Sequence, residues 1–317
     1  MCAKCLLILI FMIKYNHEII FCAAETTYCG AYFKEVKMSL DPKRKAYLES
    51  LCRQFRIDVI ETLHSVQTGH PGGSLSVCEI LTAIFFEKAR FDAKNPKWPG
   101  RDRIVLSKGH AAPMLYRILA ELEFFPKEDL KTLRQAGSHL QGHPSPNHTP
   151  GIEIPTGPLG FGYSAALGMA LAQRMDYPDA YTYAILGDGE TNEGIVWEAA
   201  MSASKFKADN FITILDNNHV QLDGPSSVIM PMGDIHAKWS AFGYNVIHCN
   251  GHDVEDVCDA IDEAKAKKGM PSIIIAETVK GKGVSFMEGN NKWHGSAIDD
   301  ESYKKAMAEL KGGASDA

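Results

Sequence analysis

The sequence predicts an α/β fold, a mostly parallel sheet with helices on both faces, and three observations carry that expectation. Short apolar, β-branched runs alternate with helix-length segments over most of the chain, the pattern of strand–helix–strand units. No repeat, linker or low-complexity tract divides residues 38–317, so they read as one domain. A chain of 317 residues also buries roughly 75% of its unfolded surface, enough for a large core.

The first helix is expected from Pro42, with Asp41 as N-cap, and Leu48, Leu51, Phe55, Val59 and Leu63 share one face. That stripe reads as core or interface. "TGHPGGSLS" breaks the helix and "VCEILTAIFFEKA" restarts one. "DRIVLSKGH" is a short β-branched run leading into the helix "AAPMLYRILAELE". Residues 136–163 are dense in Gly, Pro and His and read as an active-surface loop. The helix "SAALGMALAQRM" follows. After it come strand 181–186, helix 192–205, strands 211–216 and 244–248, helix 253–268 and strand 272–277.

Composition narrows the partners. The chain is 45% hydrophobic with a formal net charge of -6, which argues against nucleic acid, since phosphate backbones demand a concentrated basic surface. Of eight cysteines, Cys2, Cys5, Cys22 and Cys29 precede the globular pattern. Cys52, Cys78, Cys249 and Cys258 stand singly, without the doubled spacing of a zinc site. Reduced thiols and a cytoplasmic location, with no membrane partner, are the expectation. Near the N-terminus, "CLLILIFMI" is too short for a spanning helix and resembles a signal-peptide h-region, but no small-x-small site follows directly. Met38 opens a complete-looking protein, so residues 1–37 are expected to be a non-native extension or a targeting-like segment.

In a parallel sheet, ligands sit beyond the carboxyl ends of the strands. Asp188 and Asn218 occupy two such ends, one strand–helix–strand unit apart. "GDGETNEG" departs from the G-x-G-x-x-G dinucleotide pattern, and Asp188 would repel a pyrophosphate unless a cation stood between them. Magnesium resolves the conflict. The Asp188 carboxylate, the Asn218 amide oxygen and one backbone carbonyl are hard ligands, leaving positions for two diphosphate oxygens and a water. Asn217 and Asn218 are both candidates for a turn position. The helix expected after Gly189 would present its N-terminus to an anion.

These residues resemble the thiamine-diphosphate motif, and "TGHPGGSLS", "DRIVLSKGHAAPMLY", "GHPSP", "TGPLGFG", "GDGETNEG" and "KGKGVSFMEGNNKWHG" stand in the order found in the N-terminal half of transketolase. The resemblance covers residues 43–297. It implies that Asp188 and Asn218 bind the metal (Mg2+, with Ca2+ or Mn2+ as substitutes) through side chains, and Val220 through its carbonyl. Gly187 and Gly189 would approach the diphosphate, and Gly157 and Leu159 would line the ring side of thiamine diphosphate. His70, His110, His143 and His294 match the family's active-site histidines, which would hold sugar hydroxyls and exchange protons with them. His294 would also reach the diphosphate. Glu193 and Glu198 match acidic residues that lie between subunits in the family, and register favours Asn218 over Asn217 as ligand. Phe161 stands where the family usually carries Gln. Seven other histidines, His64, His139, His148, His219, His236, His248 and His252, are read as structural or surface residues.

The family's pyrimidine-binding domain, with the glutamate that activates the cofactor and most of the phosphate-holding residues, has no counterpart in residues 298–317. The resemblance therefore implies the N-terminal subunit of a split transketolase, joined to a C-terminal subunit in a two-plus-two heterotetramer acting on sugar phosphates. Pentose phosphates, branched sugars such as apiose derivatives and specialised metabolites all remain open as substrates. The alternatives are a chain of another thiamine-diphosphate enzyme, resembling deoxyxylulose-phosphate synthase or a 2-oxo acid dehydrogenase, and a non-catalytic protein of the same fold.

Overall fold

Five short strands pair into one all-parallel sheet in the order β1–β2–β3–β5–β4, where β1 is Arg103–Leu106, β2 Thr182–Gly187, β3 Phe211–Asn217, β4 Asn245–Asn250 and β5 Ser272–Glu277. The structure, a computed structural model, describes residues 40–312; the expectations for residues 1–37 and for the first four cysteines lie outside them. β2 and β3 are buried at every position, as sheets covered on both faces require. Register aligns the carboxyl ends, with Gly187 opposite Asp216 and Asn217 opposite Glu277.

The helices are α1 Pro42–Val66, α2 Pro71–Ser76, α3 Cys78–Ala83, α4 Ala112–Glu121, α5 Phe161–Asp176, α6 Gly194–Lys205, α7 Ser226–Ile229, α8 Ile235–Ala241, α9 Val254–Ala266 and α10 Asp300–Gly312. On one face of the sheet, α5 and α6 pack through Ala166, Ala170, Ala199, Ala200 and Ala203, whose small side chains let the helices lie close. Trp239 of α8 and Tyr244 close that core, with Tyr163 bonded to Tyr244 through their hydroxyls at 2.7 Å. α9 packs on β3, β4 and β5, and on α1 and α3. The expected stripe of α1 (Leu48, Leu51, Phe55, Val59 and Leu63) is buried throughout. No helix among the described residues is long and apolar enough to cross a membrane.

Two details depart from expectation. The segment after β2 does not enter an α-helix at residue 192. It makes a single 3-10 turn, Gly189–Asn192, then an extended Glu193, and α6 begins at Gly194. The turn is tightened because Thr191 donates its amide and hydroxyl to the Asp188 carbonyl and Glu190 points inward. The fold also brings Cys52 and Cys78 together with Glu79, ligand atoms within 4.8 Å. A metal reading fails there, because both Glu79 oxygens are taken by Arg56 and His252. Cys52, Cys78, Cys249 and Cys258 are free and buried.

Candidate functional site

The carboxyl ends of β1, β2, β3 and β5 open onto a cleft of about 390 Å³, and all twelve candidate site residues line it: His70, His110, His143, Gly157, Leu159, Gly187, Asp188, Gly189, Glu193, Asn218, Val220 and His294. They come from seven separate stretches of chain. The parallel sheet gathers them at one edge.

On the β2–β3 side, Asp188 is 3% exposed and Asn218 7%. Asp188 accepts a hydrogen bond from Ser226 at 2.6 Å, which cinches the loop after β3 to the end of β2. Asn218 Nδ2 donates to Asp216 at 3.3 Å, leaving its Oδ1 to accept from the Val220 amide. Burial pushes the Asp188 carboxyl above its ordinary pKa, against the pull of Ser226 and the Gly189 amide. A divalent cation would offset that cost, so the donor set of carboxylate, amide oxygen and carbonyl fits a hard metal. Asn217 instead donates to Glu277 at 2.8 Å as the last residue of β3, and His219 takes the left-handed conformation (φ 61). A Cβ on Gly189 would stand 2.9 Å from Gln221 Cγ, so that side chain would have to shift, whereas one on Gly187 would make only an ordinary contact.

Opposite lie the histidines. His70 neighbours His110, His143 and His294 with ring centroids 5.7, 6.1 and 5.7 Å away, and His110 lies nearly parallel to His294 at 4.8 Å. Burial holds all four below the ordinary imidazole range, to about 4 for His70 and about 3 for His294. Nearby cations, Arg134 beside His70 and His143 and Lys280 beside His294, push the same way. Lys280 donates to His294 Nδ1 at 2.8 Å, so the neutral ring carries its proton on Nε2.

Three charged residues of the cleft wall were missed by the sequence reading: Lys108, Glu190 and Lys280. Lys108 is fully buried and pairs with Asp216. Lys280 donates to the Val220 carbonyl at 2.8 Å, and burial brings its pKa to about 8. Each follows a strand's carboxyl end, a signal that was available in "SKGH", "GDGE" and "TVKG". Glu193 and Glu198 are exposed, and Phe161 is exposed outside the cleft. Four of the histidines read as structural form pairs elsewhere: His64 with Asp300, His139 with Asp129, His219 with Glu277 and His252 with Glu79.

Fold and site together define an α/β chain with a cleft at its strand ends lined by a buried carboxylate, amide and backbone oxygens and four histidines. The family model for the transketolase, thiamine diphosphate binding domain matches residues 48–313. The 6-deoxy-6-sulfo-D-fructose transketolase subunit SqwG of Clostridium sp. (strain MSTE9) is 45% identical over 80% of this chain and 92% of its own length. An apulose-4-phosphate transketolase subunit of Phocaeicola vulgatus is 40% identical over 83% and 93%. The solved transketolase of Campylobacter jejuni superposes with a TM-score of 0.78 at 36% identity, over 84% of this chain and 43% of that one. The chain belongs to the transketolase family, whose thiamine diphosphate-binding domain it carries, and it is a transketolase-type transferase chain.

Proposed function

We propose that this chain is the diphosphate-binding subunit of a two-subunit transketolase that moves a two-carbon ketol unit between sugars bearing a terminal anionic group. The observation that carries the reading is the meeting of Asp188, Asn218 and Val220 with four neutral histidines in one cleft. In this reading Asp188, Asn218 and the Val220 carbonyl hold magnesium, Gly187 and Gly189 face the diphosphate, and Gly157 and Leu159 line the ring side. Thiamine diphosphate, when bound, supplies the carbon nucleophile that accepts the ketol unit. Lys280 adds positive charge between the metal ligands and His294. The histidines orient substrate hydroxyls, a neutral ring having one donor and one acceptor, though His294, whose Nδ1 already accepts from Lys280, offers only its Nε2–H. Their low basicity suits that work, and an anionic diphosphate in the cleft would raise it toward the range of proton exchange.

The names of the two similar subunits include a phosphate sugar and a sulfonate sugar, which supports the broader substrate class of anionic ketoses. The same names support a partner, taken to be a C-terminal subunit with the pyrimidine-binding domain in a two-plus-two assembly in the cytoplasm. Residues 38–317 are the functional unit in this reading, with Met38 as its start.

Calorimetric titration tests the site. Thiamine diphosphate should bind only with magnesium present, and Asp188→Ala should weaken binding at least about tenfold, the scale of losing one metal ligand or its support. Magnesium-independent binding, or unchanged affinity in the variant, would refute the assignment.

A further inference from the structure

Glu190 is 2% exposed and makes no ion pair among the described residues, an uncommon state for a carboxylate. Burial pushes its pKa up, and three donors from three separate segments pull the other way. Oε1 accepts from the Gly160 amide at 2.8 Å and from the Ser107 hydroxyl, and Oε2 accepts from the Gly187 amide at 3.1 Å. Ser107 follows β1, Gly187 ends β2 beside the metal ligand Asp188, and Gly160 closes the loop bearing Gly157 and Leu159. No other hydrogen bond among the described residues links the loop 156–160 to Gly187, while the loop is tightly boxed elsewhere. A Cβ on Gly160 would meet Ile195 at 2.5 Å, and one on Gly109 would meet the Thr156 carbonyl at 2.7 Å.

We infer that Glu190 is a positioning residue that sets the ring-side loop, 156–160, in register with the diphosphate-side turn, 187–189, so that both ends of one cofactor are met at once. The inference rests on the function proposed above. Charge is integral to it. A carboxylate can accept from two backbone amides and a hydroxyl together, whereas a glutamine at this position has one oxygen and one NH2 group. Whichever way that amide turns, its NH2 faces a backbone N–H, so the isosteric change breaks the link.

The full chain is titrated with two probes in magnesium, thiamine diphosphate and inorganic pyrophosphate. Glu190→Gln should lower affinity for thiamine diphosphate at least about tenfold, one charge-assisted hydrogen bond's worth, and for pyrophosphate less than about threefold. Equal loss on both probes would mean simple collapse of the diphosphate turn, and no loss on either would remove any role; both overturn the inference. Ser107→Ala covers the case of a variant that fails to fold, since it deletes one donor and leaves no buried donor unpaired. It should show the same selective loss at smaller size, and wild-type affinity for both probes would overturn the inference. A wild-type chain that binds neither probe instead overturns the proposed function.

Discussion

At the scale of single residues, His70 sits among three other imidazoles and near Arg134 and Lys280. Burial first, and those charges second, bring its pKa to about 4, against roughly 6.5 in an unfolded chain. Between those values the unfolded chain binds a proton that the folded chain refuses. Stability from this residue is therefore complete above pH ~6.5 and lost as pH falls toward 4. The apo chain should melt at a lower temperature at pH 5 than the His70→Asn variant predicts from its own pH 7 value. Comparing the two chains isolates His70 from every other titrating group, and parallel pH profiles would refute the expectation. His70 was legible in "GHPG", as Asp188 and Asn218 were at their strand ends. The strand-end positions of Lys108, Glu190 and Lys280 were equally legible, but their roles were not, because these lie in partners 108, 30 and 60 positions away: Asp216, Gly160 and Val220.

At the scale of elements, the strand ends are locked together by Asp216 of β3. It accepts from Lys108 after β1, Ser76 of α2 and Thr278 after β5, and from Asn218. Burial alone would raise this carboxyl; the Lys108 ammonium, with the hydroxyls, holds it below its ordinary value. Lys108 also donates to the Gly73 carbonyl at 3.0 Å, which seats α2 and so His70 at its entry. Lys108→Met leaves a buried carboxylate without its cation and should destabilise the chain by about 3–5 kcal/mol in denaturant unfolding. Adding Asp216→Asn should recover part of that loss. A single variant within about 1 kcal/mol of wild type would show that the pair is dispensable. The five strands were readable from their β-branched runs, and their parallel pairing from the intervening helices. The 3-10 turn after β2 was not, since "GETNEG" continues smoothly into a helical pattern and only the inward Glu190 and the Thr191 hydroxyl decide against it.

At the scale of the whole molecule, the cleft brings the strand ends of Asp188 and Asn218 against four histidines, with carboxylates only at Asp188, Glu190 and Glu193 among its described lining. In the proposed function Asp188 faces the metal and Glu190 is occupied by its three donors, which leaves Glu193, exposed at the start of α6. Nothing in that set is both buried and free to protonate a cofactor ring, the task that needs a carboxyl group with a raised pKa. Two large apolar side chains stand exposed here: Leu222 lines the cleft at 58% exposure, and Phe161, outside it but next to the ring-side loop, is 61% exposed. Exposed large side chains flanking a site are what a partner's surface would cover. The chain alone should therefore bind thiamine diphosphate weakly and give no ketol transfer from xylulose 5-phosphate. The natively purified assembly should turn over either that donor or a sulfonated ketose, and should not use pyruvate. Hydrogen exchange should show residues 219–230 protected in the assembly and open in the lone chain. Turnover by the lone chain at the rate of the assembly would mean that the missing acid is supplied from within, and would return attention to Glu193.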